Sequence, residues 1–94
     1  MILEIVSPEA KLFSGEVTSI SVPGVDGRFQ MLNNHAPIVS LLQKGTVNIT
    51  TVHGFELNEE TAKSFTKIND NNYTLEIASG TLELKDNKAI ILAD

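Results

Sequence analysis

Val22-Pro23-Gly24-Val25-Asp26-Gly27-Arg28-Phe29-Gln30-Met31-Leu32-Asn33-Asn34-His35-Ala36-Pro37-Ile38-Val39 holds two of the three prolines, two of the six glycines and one of the two histidines in the 94-residue chain. Pro23-Gly24 reads as a turn, because proline presets φ and glycine tolerates φ > 0. Asp26-Gly27 is a second turn signal of the kind that closes a tight hairpin. Phe29, Met31 and Leu32 form a short apolar run with no room for a helix between the breakers, so a short strand is expected at Phe29–Leu32. Asn33-Asn34 tolerate left-handed backbone, and Ala36, preceding Pro37, is pushed to an extended conformation. The stretch is thus an ordered, irregular loop between apolar runs, of the type that carries function on a rigid scaffold.

The flanking sequence is patterned at period two. Met1–Val6 reads as a strand ended by Ser7-Pro8. Lys11-Leu12-Phe13 reads as a short extended piece stopped by Ser14-Gly15. Glu16–Val22 places Thr18, Ile20 and Val22 on one face and Val17, Ser19 and Ser21 on the other. Ile38–Leu42 is apolar throughout and fits a strand or a turn-like cover. Thr46–Val52 alternates with Val47 and Ile49 facing in. His53-Gly54 is a turn signal leading toward Phe55 and Leu57.

Between residues 58 and 72 a short helix capped by Asn58 competes with a strand at Ser64–Ile68 that turns through Asn69-Asp70-Asn71-Asn72. The hairpin is preferred, because the helix has few apolar anchors. Tyr73, Leu75 and Ile77 share the next apolar face. Gly80 interrupts with a bulge or a close backbone approach, and Leu82 and Leu84 follow. Lys85-Asp86-Asn87-Lys88 turns the chain into a last strand at Ala89–Ala93. The expectation is an all-β chain of about eight to ten short, mostly antiparallel strands, a sandwich or flattened barrel forming one domain over 1–94, with no long helix.

Composition narrows the function. The chain has no cysteine, which excludes disulfides, thiolate metal sites and a cysteine nucleophile. Its net charge of −5 lacks the basic footprint of a nucleic-acid or anionic-lipid binder. One Tyr, four Phe and no Trp give no stacking platform for single strands or sugars. No apolar run reaches the ~20 residues of a membrane span, and no basic region precedes an apolar one at the N-terminus as in a signal peptide. His35 and His53 share no metal-ligand spacing with a third donor. Ser14 and Ser79, each before a glycine, lie in no nucleophile elbow, and no phosphate-binding glycine loop exists. Neither a catalytic nor a cofactor-binding set is visible. A non-catalytic binding or structural module is expected over a small hydrolase, with a free-standing ligand-binding β-sandwich as the alternative.

The order of the motifs is more specific than any one of them. Ile5-Val6-Ser7-Pro8-Glu9, Leu12-Phe13-Ser14-Gly15-Glu16-Val17, Val22–Gly27, His35-Ala36-Pro37-Ile38-Val39, Lys44-Gly45-Thr46-Val47, Ser79-Gly80-Thr81-Leu82-Glu83-Leu84 and Ile91-Leu92-Ala93-Asp94 follow one another in a chain that resembles the epsilon subunit of bacterial F-type ATP synthases. The resemblance spans nearly the whole chain apart from about residues 55–72. It implies a flattened β-sandwich of about ten strands in two five-stranded sheets, here with no C-terminal helical hairpin, and a non-catalytic central-stalk subunit bound to the gamma subunit and the c-subunit ring, coupling proton-driven rotation to ATP synthesis. It places that subunit on the cytoplasmic face of the bacterial inner membrane, associated with the membrane only through the complex. By resemblance Asp26, Gly27 and Arg28 touch the ring, and His35, Ala36, Pro37 and Ile38, with Ser79 and Gly80, lie toward gamma.

Three departures accompany the resemblance. The family usually continues past Leu-Ala-Asp into two helices, whereas the sequence stops at Asp94, so neither an inhibitory helical switch nor ATP binding is expected. Many relatives carry an acidic residue where Arg28 stands and Pro-Gly where Asn33-Asn34 stand. Residues 55–72 are longer than the matching hairpin and read as an extension or flap.

Overall fold

Among the residues described by a computed structural model, 1–54 and 63–94, nine strands are found. They are β1 (Ile2–Val6), β2 (Lys11–Gly24), β3 (Gly27–Leu32), β4 (Ile38–Leu42), β5 (Gly45–Thr51), β6 (Phe65–Lys67), β7 (Asn72–Ile77), β8 (Gly80–Lys85) and β9 (Lys88–Ala93). They pack as two layers sharing one strand. The first layer runs β4-β8-β9-β1-β2 and the second β3-β2-β5-β7-β6. The first half of β2 pairs with β1 (Leu3 opposite Gly15, Ile5 opposite Phe13). Its second half lies between β3 and β5 (Ile20 opposite both Met31 and Ile49). Counting β2 in each layer gives five runs per sheet, so the expected ten strands are nine with one serving twice. All pairs are antiparallel except β1 with β9. The domain is flattened, 32 × 26 × 20 Å.

The 14-residue β2 corrects two expectations. Ser14-Gly15 do not stop the strand. Both are paired to β1, and Gly15 lies beside the Phe13 ring, where a Cβ would come 3.3 Å from it. Thr18 does not share a face with Ile20. The register shifts between Val17 and Ser19, an irregularity that reverses the alternation. Val17, Ile20 and Val22 are all fully buried while Thr18 is exposed. The same shift is where β2 leaves one layer for the other, so the bulge turns the corner of the sandwich.

The core between the layers is mostly aliphatic, with Tyr73 its largest fully buried side chain. Leu3, Ile5, Leu82, Leu84 and Ile91 line one sheet, and Ile20, Val22, Met31, Val47, Ile49 and Leu75 the other. At 20–33 cal/mol per Å², each such side chain contributes roughly 1.5–3 kcal/mol. The Phe13 and Phe65 rings meet across the layers at a centroid distance of 6.3 Å.

Turn chemistry follows the sequence. Val25 and Asp26 form the tip of the β2–β3 hairpin, closed by Gly27 at φ 125°. Asp86 and Asn87, at φ 52° and 60°, close the two-residue β8–β9 hairpin as a type I′ pair requires. Asn34 adopts φ 64° and Gly54 φ 71°. The preferred hairpin before Asn72 is present as β6–β7. Ile38–Leu42 is a strand, not a turn. The expected bulge at Gly80 is instead a bend at Ala78-Ser79. It carries the chain from the second layer to the first, after which β8 pairs in regular register with both neighbours. Close backbone approach is the correct part of that expectation: a Cβ on Gly80 would lie 2.5 Å from the Leu92 carbonyl oxygen. The Asn58-capped helix and the Phe55 and Leu57 run lie outside the described residues.

Candidate functional site: the outer faces of the two layers

The two layers present opposite chemistry to solvent. On the second, the outward rows are polar apart from Leu32 at the edge strand, which is 58% exposed opposite Ser19. Ser19 Oγ donates to Thr50 Oγ1 at 3.2 Å, and Thr50 Oγ1 donates to Asn72 Oδ1 at 2.7 Å. Arg28 donates to Ser21 Oγ at 2.9 Å and to the Thr46 carbonyl, and Thr46 Oγ1 donates to Glu76 Oε1. This is the ordinary water-facing side of an antiparallel sheet.

The outer face of the first layer differs. Registers of β4, β8, β9 and β1 align its outward side chains in rows. One row is Leu41, Thr81, Leu92 and Val6, and the next is Val39, Glu83, Ile90 and Glu4. Val39 is 76% exposed, Leu41 62% and Leu92 53%, while Ile90 and Val6 are half-buried. Ile2 and, at the hairpin tip, Val25 are also exposed. Neighbouring strands are ~4.8 Å apart, so the rows span roughly 15 Å, a largely apolar surface interrupted by Thr81, Glu83 and Glu4. Such a patch on an exposed sheet face marks an interaction surface.

The residues singled out from the sequence border this face at two ends. Leu42 is opposite Gly80 and also opposite Gly24. Val25 N–H donates to the Leu41 carbonyl at 3.1 Å, and Gln43 N–H to the Pro23 carbonyl at 2.9 Å. The tip residues Val25 and Asp26 therefore lie at the Ser79-Gly80 end, where Val25, Leu41, Gly80, Leu92 and Asp94 line a shallow cleft. There Ser79 Oγ donates to Asp94 Oδ2 at 2.6 Å. His35, Ala36 and Pro37 are exposed before the other end of β4, with Ile38 half-buried. Four steps of ~3.4 Å along β4 separate the two ends, roughly 14 Å. The fold thus brings Ser79 and Gly80 to the Asp26-Gly27-Arg28 hairpin and not to the His35–Ile38 segment.

That segment is held in place. Asn34 N–H donates to Asn87 Oδ1 at 2.8 Å, His35 N–H to the Leu32 carbonyl at 3.3 Å, and His35 Nδ1 is 2.7 Å from the Ala36 carbonyl oxygen. At the tip, Arg28 is occupied by the polar face, whereas Asp26 is exposed and enters no ion pair among the described residues. The described residues hold no cluster of three or more metal-ligating side chains, and no helix among them is long and apolar enough to cross a membrane.

Val39, Leu41 and Leu92 were not singled out from the sequence. The signal was there: Ile38-Val39-Ser40-Leu41-Leu42 and Ile90-Ile91-Leu92 are apolar at both parities. In a two-layer sandwich such runs mean that the outer face also expects cover.

Comparison with known proteins adds the identity of the fold. Residues 1–75 match the family described as the ATP synthase delta/epsilon chain, β-sandwich domain. The ATP synthase epsilon chain of Chlorobium limicola is 37% identical over 92 residues, covering 98% of this chain and 86% of the relative. That of Chlorobaculum tepidum is 35% identical over the same shares. Among solved structures, a chain in the central stalk/c-ring structure of Tetrahymena thermophila mitochondrial ATP synthase superposes with a TM-score of 0.67 at 16% identity. A chain in the OSCP/F1/c-ring structure of the Euglena gracilis enzyme superposes with 0.75 at 17% identity. This chain spans 62% and 49% of those two chains, and at these identities the likeness is one of fold.

Proposed function

Because this chain belongs to the delta/epsilon family of ATP synthase subunits, we propose that it is a rotor part: a non-catalytic stalk subunit that binds the gamma subunit through the apolar face of its first layer and meets the c-subunit ring with its hairpin tip. Its membrane association runs through the complex, on the cytoplasmic face of the bacterial inner membrane. The observation that carries the gamma assignment is the contrast between the two faces. Ser, Thr and Asn cover one, with Leu32 alone at its edge strand, and Val39, Leu41 and Leu92 stand exposed together on the other. A partner that covers the latter removes apolar area from water, and at ~25 cal/mol per Å² this gain drives association.

The expected contacts flank that face. His35, Ala36, Pro37 and Ile38 extend it at one end, and Ser79 and Gly80 at the other. Asp26, Gly27 and Arg28 at the tip form the ring contact, with Asp26 supplying the free charge and Arg28 fixing the hairpin to the polar face. Coupling needs a stiff body between two interfaces, which a closed β-sandwich provides.

The test is co-purification with the gamma subunit of the same genome by size exclusion at moderate salt. An equimolar complex is expected, and Leu41→Asp disrupts it without unfolding the chain. If wild type and gamma elute apart at micromolar concentration, or if Leu41→Asp binds as wild type does, the gamma assignment is wrong.

A further inference from the structure

We infer that the surface covering this apolar face carries a lysine or arginine aimed at Glu83, and that Glu83 sets which partner fits. The inference rests on the docking reading above and adds a chemistry to it. Glu83 stands in the second row of the face, directly opposite Val39 on one side and Ile90 on the other. Side chains so paired have Cβ atoms about 4.5–5.5 Å apart; both cross-strand neighbours are apolar, and Lys85, two residues along β8 on the same face, makes no ion pair with Glu83. The other carboxylate in the row, Glu4, is compensated within the chain: Lys88 Nζ lies 3.4 Å and Lys11 Nζ 3.8 Å from it. Glu83 has no cation at ion-pair distance among the described residues.

A partner that closes over Val39, Leu41 and Leu92 strips water from Glu83 as well. Desolvating a carboxylate without a counter-charge is strongly unfavourable. With Lys85 two residues away on the same face but unpaired with Glu83, the face favours a surface that brings a cation to this position and disfavours one with an apolar or acidic group there. This is selection by an unpaired buried charge.

The sign of one substitution tests this. Glu83 is exposed, so Glu83→Met and Glu83→Gln leave the isolated domain folded, as checked by thermal melts. Binding of the chain to its cognate gamma subunit is then measured by calorimetry, with Leu41→Asp alongside. If the partner supplies a cation, Glu83→Met weakens binding roughly 10- to 30-fold, because it leaves that cation buried and unpaired, and Glu83→Gln weakens it less. If the facing surface is apolar, Glu83→Met binds as well or tighter. That outcome, with Leu41→Asp still disruptive, overturns the inference and leaves the docking reading intact. If Leu41→Asp also binds normally, the docking reading fails and the inference with it.

Discussion

Gly80 is the most constrained backbone position at the edge of the proposed interface. Its φ is not positive, so an alanine there suffers no left-handed strain. The obstacle is contact: the new Cβ would be 2.5 Å from the Leu92 carbonyl oxygen and 3.4 Å from Ala93 Cα. Side-chain carbons essentially never approach closer than 3.0 Å, so β9 must move by at least half an ångström. Gly80 is paired on both sides, to Leu42 and to Ala93, so the shift disturbs two ladders. Overpacking of this kind costs about 1–3 kcal/mol, and the reduced freedom of the unfolded chain returns roughly 0.4–1 kcal/mol of it. The middle of these ranges leaves about 1.3 kcal/mol net, and with a shift of about 4–8 °C per kcal/mol for a domain of this size Gly80→Ala is expected to lower the Tm by roughly 5–10 °C. Circular dichroism melts and urea titration measure it, with a lower midpoint at an unchanged slope. Because Leu92 belongs to the displaced segment and to the apolar face, affinity for gamma falls in the same variant. An unchanged or raised Tm would refute the claim that backbone crowding makes this position glycine.

Other expectations follow from single features. Deleting Thr18 removes the extra residue of the bulge and leaves Val17 and Ile20 on one face of a regular strand, so β2 loses the irregularity with which it passes from one layer to the other and the Tm is expected to fall, whereas Thr18→Ala melts close to wild type. Asn87→Ala loses both a left-handed-tolerant residue and the acceptor for Asn34 N–H, for about 2 kcal/mol together. Asn87→Gly loses only the bond, and chemical denaturation separates the two. Arg28→Ala gives up exposed hydrogen bonds to Ser21 and the Thr46 carbonyl, costing about 0.5–1 kcal/mol. It is expected to raise amide exchange in the β2–β3 hairpin and to weaken assembly with the ring, as does Arg28→Glu, while Asp26→Asn alters ring association without changing the melt.

The fold class was legible because the turns are local. Asp86-Asn87, Asn34 and Gly27 each carry the residue type their backbone demands, and the alternations at Val47–Ile49 and Tyr73–Ile77 survive intact. What was not legible depends on partners distant in the chain. Ser14-Gly15 look like a break until β1 pairs with them, and the reversal at Thr18 exists only because β2 must serve both layers. The site was half legible. Motif order picked out the tip and the His35 segment, but the apolar strip between the ends of β4 needs the registers of four strands to be seen. Glu83, one charge among twelve acidic residues, becomes distinctive only when Val39 and Ile90 are known to flank it.

The shared strand has a mechanical consequence. The hairpin tip is the direct continuation of Gly24, and the same unbroken backbone runs through the polar layer and into the sheet that bears the apolar face. A torque applied at the tip therefore travels to that face along covalent bonds. The ladders to β1, β3 and β5 resist it together in shear and do not peel one bond at a time. Torsional stiffness between the two surfaces is set by backbone geometry and not by how tightly the aliphatic core is filled. A cavity cut at Ile20 or Val47 would make the domain easier to melt while leaving it almost as rigid a lever.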